Sequence, residues 1–443
     1  MHGSPPTSSG ILASILERAS YLTIAGFDMQ EALHGKIESL LCEGVGAIKG
    51  DAARQQIEDR GLAVLHEFLP AEEIGALRDF VMPQIRPDLL TLSCRIGRKL
   101  LGMEGEFFVD DYTILRINYP YEVALRAVDT SENPGTGRVS KRTREAGSAS
   151  RAVDPTYDPK TYHNNEPPAA WAHGAHQDTW FGHSRFGVNL WWAVSDVPEE
   201  CAMVFYPQTF GRRFEPDPRS LYLRAGQPLP APSKMALRRG EMLIFNPEML
   251  HATHLNISNR TRIAVSARLN PAAPKFSASC FFAREFWHSS TNIEAGRLDD
   301  VIRFKREENL EPVRENPAAS AAVPRQLQTA AVRRDGSWVA VCRSENVGPR
   351  QKLLLQADGK ETVLLVRGER RLHAVQSRCA HLNISMADGY HDERSIWCPA
   401  HAVEFSLATG KSACALLALR TFEVREEDGV VWLRRPAAQD RRA

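Results

Sequence analysis

Two groups of side chains in this sequence have the types and spacing to hold metal. The first is His176-Gln-Asp178, an imidazole and a carboxylate two residues apart. On a strand, residues i and i+2 share a face, so both could converge on one ion. The stretch 240–269, GEMLIFNPEMLHATHLNISNRTRIAVSARL, offers a third ligand at His251 or His254. Two histidines and one carboxylate on one face of a metal leave three positions open. That suits Fe(II), which must then take a bidentate co-substrate and O2. In a chain with 14 His the tripeptide alone carries little weight, so the surrounding elements must support it.

The second group is Cys379-Ala-His381, then sixteen residues, then Cys398-Pro-Ala-His401, one thiolate and one imidazole in each of two loops. Two Cys on one iron and two His on the other hold a [2Fe–2S] centre whose neutral imidazoles raise its potential. Two Cys and two His also make a structural zinc set. Zinc-finger spacing, however, keeps the cysteines together and the histidines together on a helix, whereas each half here is a mixed hairpin.

The elements that must position these residues fall into zones. Residues 1–57 read as a helical N-terminal extension, because ILASILERASYL and MQEALHGKIESLLCEGVGAIK bring apolar residues round every three to four positions. From 58 to 295 short β-rich runs are broken by Pro, Gly and Asn, among them YTILRINY, FGVNLWWAVSDV, EMLIFNP and RIAVSARLN. Such runs suit a barrel or sandwich. The segment 129–171 lies inside this zone and reads as a long loop over the site. Residues 296–328 lapse into charge and Ala/Pro and read as a linker. A second β-rich zone, 329–438, carries the cysteines.

With those residues in view, the tail resembles the Rieske domain over about 330–435. A Pro follows the second Cys, Phe405 and Gly410 stand at the usual places, and EEDGVVWL closes the unit. The resemblance implies a small all-β domain with a [2Fe–2S] cluster on Cys379, His381, Cys398 and His401. Respiratory-complex members carry an extra Cys in each loop; Ile384 and Ala400 stand there instead. The domain therefore looks like the ferredoxin and oxygenase-associated branch, an electron donor of lower potential. Ala402 replaces the Gly common after the second His.

The 58–295 zone resembles the phytanoyl-CoA dioxygenase-like branch of the Fe(II)/2-oxoglutarate oxygenases, whose fold is a double-stranded β-helix of the jelly-roll or cupin type. RGLAVLHEFLPAEEIGALRDF looks like its entry segment, HQDTW its HxD strand and AMVFYPQT the strand before a proline-marked turn. His251, Asn256, Ser258 and Arg262 match its closing strands. The resemblance implies that His176, Asp178 and His251 ligate Fe(II). It further implies that Arg262, eleven residues past His251, clamps 2-oxoglutarate by a bidentate pair. Arg260 and Arg268 are its competitors, and Thr253 would add a hydroxyl from the same strand face. His254 has the opposite parity and reads as a packing residue. Trp171, Trp180, Phe181, Trp191 and Trp192 read mainly as wall, with Trp180 the one placed to meet substrate.

Composition bounds the rest. At 443 residues, 49.4 kDa, 43% hydrophobic and a formal charge of +1, the chain can build two or three cores and lacks a nucleic-acid footprint. The basic run 138–151 reads as a solvated loop. No stretch approaches a membrane span and the first residues lack the order of a secretory signal, so the expected location is cytoplasmic. Eight cysteines make no disulfide framework.

Electron counting links the two sites. O2 needs four electrons, of which 2-oxoglutarate supplies two through decarboxylation to succinate and the substrate C–H supplies two. A fused cluster is then either a means of keeping or restoring Fe(II) or part of a different electron balance. The first is the expected role, in a dioxygenase that hydroxylates a small polar metabolite. The alternative is a Rieske-fed oxygenase using NAD(P)H-derived electrons in place of 2-oxoglutarate; a redox-sensing module on an inactive barrel is third. Expected partners are O2, a small-molecule substrate and an external ferredoxin reductase or NAD(P)H-dependent reductase, with a homo-oligomer left open.

Overall fold

The computed structural model describes residues 8–127, 172–278, 280, 283–311, 328–329, 337–356 and 362–434. The expectations for the 129–171 loop, its basic run and Trp171 lie outside the described residues. The chain divides into two compact units.

The first unit takes in Met1–Arg212, Pro218–Tyr222 and Ser233–Glu315. It opens with α1 (Ser8–Glu17), β1 (Tyr21–Ile24), α2 (Gln30–Lys49), α3 (Asp51–Arg60) and α4 (Ile74–Arg95). Helix α2 buries Leu33, Ile37, Leu40, Leu41, Gly44 and Val45, one stripe at helical spacing. Gly44 lets α4 approach, since a Cβ there would lie 2.6 Å from Leu77 Cδ1. The expectation of a merely helical extension needs correcting. Strand β1 pairs antiparallel with β7 (Met242–Phe245), and His34 Nε2 reaches Val194 O at 2.9 Å. The N-terminal residues are part of the main sheet.

That sheet follows with β2 (Phe108–Asp110), β3 (Ile114–Asn118), β4 (Val188–Ala193), β9 (Arg262–Asn270), β10 (Phe286–Ser289) and β11 (Ile302–Arg303), in the order β1-β7-β4-β9-β2-β10-β11, with β3 also pairing β9. A smaller sheet holds β5 (Met203–Phe205), β6 (Ser233–Met235) and β8 (His251–Thr253) in the order β6-β5-β8. One core joins the sheets: Trp191, Leu243, Phe245 and Ala264 from the larger pack with Met203 and Phe205 from the smaller. Every residue of the nine-residue β9 is buried, which makes it the spine of the unit. The fold is mostly β with helices. Residues 296–311, expected as linker, are built into this unit, because Ile302 and Arg303 extend the sheet beside β10 and Glu311 N–H donates to Phe276 O at 2.8 Å.

The second unit takes in Asn316–Ala443 together with Arg213–Asp217 and Leu223–Pro232. The latter two segments fall in the zone assigned by sequence to the first β domain. They fold here because Leu229 N–H donates to Asp388 O at 2.9 Å and Gly226 N–H to Asp388 Oδ2 at 3.0 Å. The unit is all-β: β12 (Gln328–Thr329), β13 (Val339–Arg343), β14 (Lys352–Gln356), β15 (Thr362–Arg367), β16 (Leu372–Gln376), β19 (Thr421–Glu427) and β20 (Val430–Arg434) form one sheet, and β17 (Ser395–Trp397) and β18 (Glu404–Ser406) a hairpin. An Asp428-Gly429 turn with both φ positive joins β19 to β20, the turn that matches strand twist. Gly410 is required where it stands: φ is 72° and a Cβ would lie 1.9 Å from Leu419 O.

Candidate functional site

The two histidines on which a metal could rest are paired through their backbones. His176 N–H donates to His251 O at 2.8 Å and His251 N–H to His176 O at 2.9 Å, which sets the rings side by side with centroids 4.3 Å apart. On its other edge His251 pairs with Phe205 of β5. Asp178 arrives differently from the strand expectation. His176 forms only an isolated bridge, and Asp178 opens a one-turn 3-10 helix, Asp178–Phe181, closed by Gly182 at φ 77°. The carboxylate meets the imidazoles because the chain turns back there, not because strand side chains alternate.

Both rings are locked in one tautomer. His176 Nδ1 lies 2.6 Å from Gly174 O and His251 Nδ1 2.8 Å from Met249 O. A carbonyl only accepts, so each Nδ1 carries the proton and each Nε2 is left as a lone-pair donor. Those Nε2 atoms lie 3.5 and 3.8 Å from Asp178 Oδ1, and all three ligand atoms fall within 4.8 Å of one another. The other carboxylate oxygen is occupied: Asn189 Nδ2 donates to Asp178 Oδ2 at 2.8 Å, and Arg268 Nη2 lies 3.4 Å from it. Burial works against the Asp178 charge. The Arg268 guanidinium and the two rings nonetheless hold the carboxyl well below its usual range. Burial, with His176 beside it, pushes His251 down to about 3, so it is neutral and able to ligate. Two imidazoles that each present Nε2, and a carboxylate, suit a divalent iron with open positions.

These residues line a cavity that also holds Thr253 and Arg262. Arg262 is 2% exposed; its Nη1 donates to Cys201 O at 3.0 Å and its guanidinium lies 5.7 Å from the Trp191 ring centroid. Arg260 is exposed and outside the cavity, whereas Arg268 lines it. His254 is fully buried with Nδ1 at 2.6 Å from Leu255 O, a packing residue as its parity implied. Trp180 does not line the cavity; Phe181 does, its ring centroid 5.1 Å from that of His176. Sequence reasoning missed Asn189, Arg116 and Arg284. A signal existed for Asn189, a lone amide in the apolar run VNLWWA.

In the second unit, Cys379 and Cys398 open two loops with the same backbone. Cys379 N–H donates to Ile384 O and Asn383 N–H to Cys379 O; Cys398 N–H donates to Val403 O and Ala402 N–H to Cys398 O, all at 2.8 to 3.0 Å. The fifth residue of each loop has positive φ, 56° at Asn383 and 53° at Ala402. His381 and His401 are buried with ring centroids 5.0 Å apart. The Cys398 thiol donates to Cys379 and, with the backbone N–H groups of His381 and Leu382, holds Cys379 down to about 7 against its burial, while Cys398 is pushed up. Among the described residues only His176, Asp178 and His251 bring three ligand atoms within 4.8 Å of each other. Cys379 pairs with Cys398 and the His381 ring with that of His401, thiol with thiol and ring with ring. All eight cysteines are free of disulfides.

Two family profiles match the chain. The phytanoyl-CoA dioxygenase (PhyH) family profile matches residues 57–264, and the Rieske [2Fe-2S] domain profile matches residues 337–422. The tail is 36% identical over 88 residues to the 3-phenylpropionate/cinnamic acid dioxygenase ferredoxin subunit of Escherichia coli (strain K12), covering 19% of this chain and 83% of that protein. The same subunit of Shigella boydii serotype 4 (strain Sb227) is 35% identical over the same share. Among solved structures, the Sphingomonas yanoikuyae B1 ferredoxin is 24% identical with a TM-score of 0.21, covering 23% of this chain and all of the other. A complex of reduced oxygenase and oxidised ferredoxin in carbazole 1,9a-dioxygenase is 27% identical with a TM-score of 0.21, covering 22% of this chain and 92% of the matched one. The chain therefore carries a phytanoyl-CoA dioxygenase (PhyH) domain over residues 57–264 and, C-terminal to it, a Rieske [2Fe-2S] domain over residues 337–422.

Proposed function

We propose that the chain is an Fe(II)- and 2-oxoglutarate-dependent dioxygenase whose first unit is a double-stranded β-helix. His176 Nε2, His251 Nε2 and Asp178 Oδ1 are its iron ligands. Bound iron would supply O2 activation; the chain supplies placement. The Nδ1 bonds to Gly174 and Met249 aim the two rings, and Asn189 turns Oδ1 of Asp178 toward them. Arg262 pairs with the distal carboxylate of 2-oxoglutarate, with Thr253 adding a hydroxyl, and Trp191 and Phe181 screen the cavity from water. The observation that carries this reading is the buried Arg262 in the same cavity as the three candidate ligands. The outcome expected is hydroxylation of a small polar metabolite. Retention of Asp178 speaks against halogenation, which needs that ligand position for a halide.

Cys379, Cys398, His381 and His401 are proposed to ligate the cluster, and the Rieske domain to act as an electron donor that keeps the oxygenase iron ferrous. Relatives named as ferredoxin subunits of a dioxygenase favour an electron-carrier role. They also favour a second reading, in which reductase-derived electrons replace 2-oxoglutarate altogether. Arg262 argues for the first. The test is succinate release by the purified enzyme with candidate substrates: succinate formed in step with product supports 2-oxoglutarate use, and product without succinate rejects it.

A further inference from the structure

The cavity holds far more positive charge than the proposed co-substrate needs. Among the described residues Arg116, Arg262, Arg268 and Arg284 line it, against the single carboxylate of Asp178. The histidines add nothing to the negative side, and burial keeps His183 neutral, its pKa well below the usual value. Behind the wall stands Asp110, Oδ2 3.7 Å from His183 Nδ1; Asp111 is taken up by Arg86 and by His288 Nε2 at 2.7 Å. Iron and 2-oxoglutarate cancel each other in formal charge. If Arg262 serves 2-oxoglutarate and Asp110 and Asp178 offset two guanidiniums, at least one cation is still uncompensated among the described residues. Burying such a charge is costly unless an anion arrives.

The guanidiniums in question are set beside one another on adjacent strands. Arg116 on β3 lies opposite Ala264 of β9, and its Nε donates to Ser266 Oγ at 2.8 Å. Arg268 lies two residues further along the same face of β9, opposite Asn189. It is 6% exposed, and its Nε and Nη1 have no hydrogen-bond partner. Arg284 lies 4.1 Å from the Tyr112 ring centroid with its Nε likewise unpartnered. Burial and the neighbouring Arg268 push Arg116 down to about 9, which still leaves it charged at neutral pH. Orienting Asp178 uses one nitrogen of Arg268, and at 3.4 Å only weakly.

We propose that Arg116 and Arg268, with Arg284 beside them, form a second oxyanion site, and that the substrate of this enzyme is a small molecule held there by a carboxylate or phosphate group. This rests on Arg262 serving 2-oxoglutarate. The test is calorimetry on Fe(II)-loaded, anaerobic full-length protein saturated with 2-oxoglutarate, titrated with hexanoate, hexyl phosphate and hexanamide. One of the two anions binds at least about 10-fold more tightly than the neutral amide, and which one names the group. Arg116→Gln and Arg268→Gln each weaken that anion by about 10-fold or more, and Arg116→Gln, which does not touch Asp178, leaves 2-oxoglutarate affinity within about 3-fold. The amide comparison uses unsubstituted protein, so it stands whether or not a variant folds. Equal binding of amide and anions, no saturable binding of either anion, or dependence on Arg262 instead of Arg116 and Arg268 overturns the proposal. A prior titration with 2-oxoglutarate alone separates the two readings. If it does not bind, the co-substrate assignment fails, and the anion titration repeated without it still judges the Arg116–Arg268 site.

Discussion

Asn189 Nδ2 donates to Asp178 Oδ2 at 2.8 Å, from a strand position eleven residues beyond it in sequence, and leaves Oδ1 as the oxygen facing His176 and His251. Such partners fix the orientation of a ligating group and typically contribute 10–100-fold to metal affinity. Asn189→Ala is expected to weaken Fe(II) binding by about 10-fold or more, read by chelator competition. Unaltered affinity would show that Asp178 needs no such support.

Arg262→Lys keeps a positive charge but loses the planar fork. The KM for 2-oxoglutarate is expected to rise by about 10- to 100-fold, with a smaller change in kcat. Steady-state kinetics against 2-oxoglutarate decide it; an unmoved KM means the carboxylate is held elsewhere.

His381→Ala should abolish the visible spectrum of the cluster. If the Rieske domain keeps the oxygenase iron ferrous, the number of turnovers before inactivation falls in the absence of ascorbate and recovers when ascorbate is added. The same number of turnovers in variant and parent without ascorbate would reject that role.

Ala402 and Asn383 are the matching residues of the two cysteine loops, both at positive φ. Asn adopts that conformation readily, whereas Ala pays roughly 1–2 kcal/mol there. Ala402→Gly is expected to stabilise the C-terminal unit by about 1 kcal/mol once the entropy of Gly is discounted, seen as a higher melting temperature. A lower melting temperature would mean that the Ala402 methyl group packs to greater effect than its strain costs.

His254 gives a pH dependence of definite sign. Its pKa is pushed down to about 4 by burial, below the roughly 6.5 of an unfolded histidine. The unfolded chain therefore binds the extra proton first, so His254 lowers stability as pH falls from about 6.5 toward 4, by about 2 kcal/mol at pH 5. Denaturant unfolding of the parent and of His254→Gln between pH 7 and 5 should show a shallower slope in the variant; equal slopes would remove His254 as a cause.

The site was legible where chemistry is written in short spacing. His176, Asp178, His251 and Arg262, singled out by motif spacing, line one cavity, and Cys379, His381, Cys398 and His401 fall in two loops of matching backbone. What was not legible depends on long-range register. Strand parity on β9 puts Arg262, Ser266 and Arg268 on one face, so parity alone gave Arg268 the same claim to the cavity as Arg262. Only the pairing of β3 and β4 onto β9 reveals that Arg116 and Asn189 join them. The strand Tyr21–Ile24 hid because four residues between helices carry too little pattern to announce a partner 220 residues away. Residues 296–311 looked like linker because their charged side chains face outward while their backbone completes a sheet edge.

Two different iron centres are proposed to share one polypeptide. Iron, zinc and acid-labile sulfide analysis of protein purified without oxygen and supplied with Fe(II) tests this most directly. The expected result is about three irons and about two sulfides per chain, falling to about one iron and no sulfide in Cys379→Ser. Zinc retained at the tail, or no sulfide in the parent protein, would contradict it.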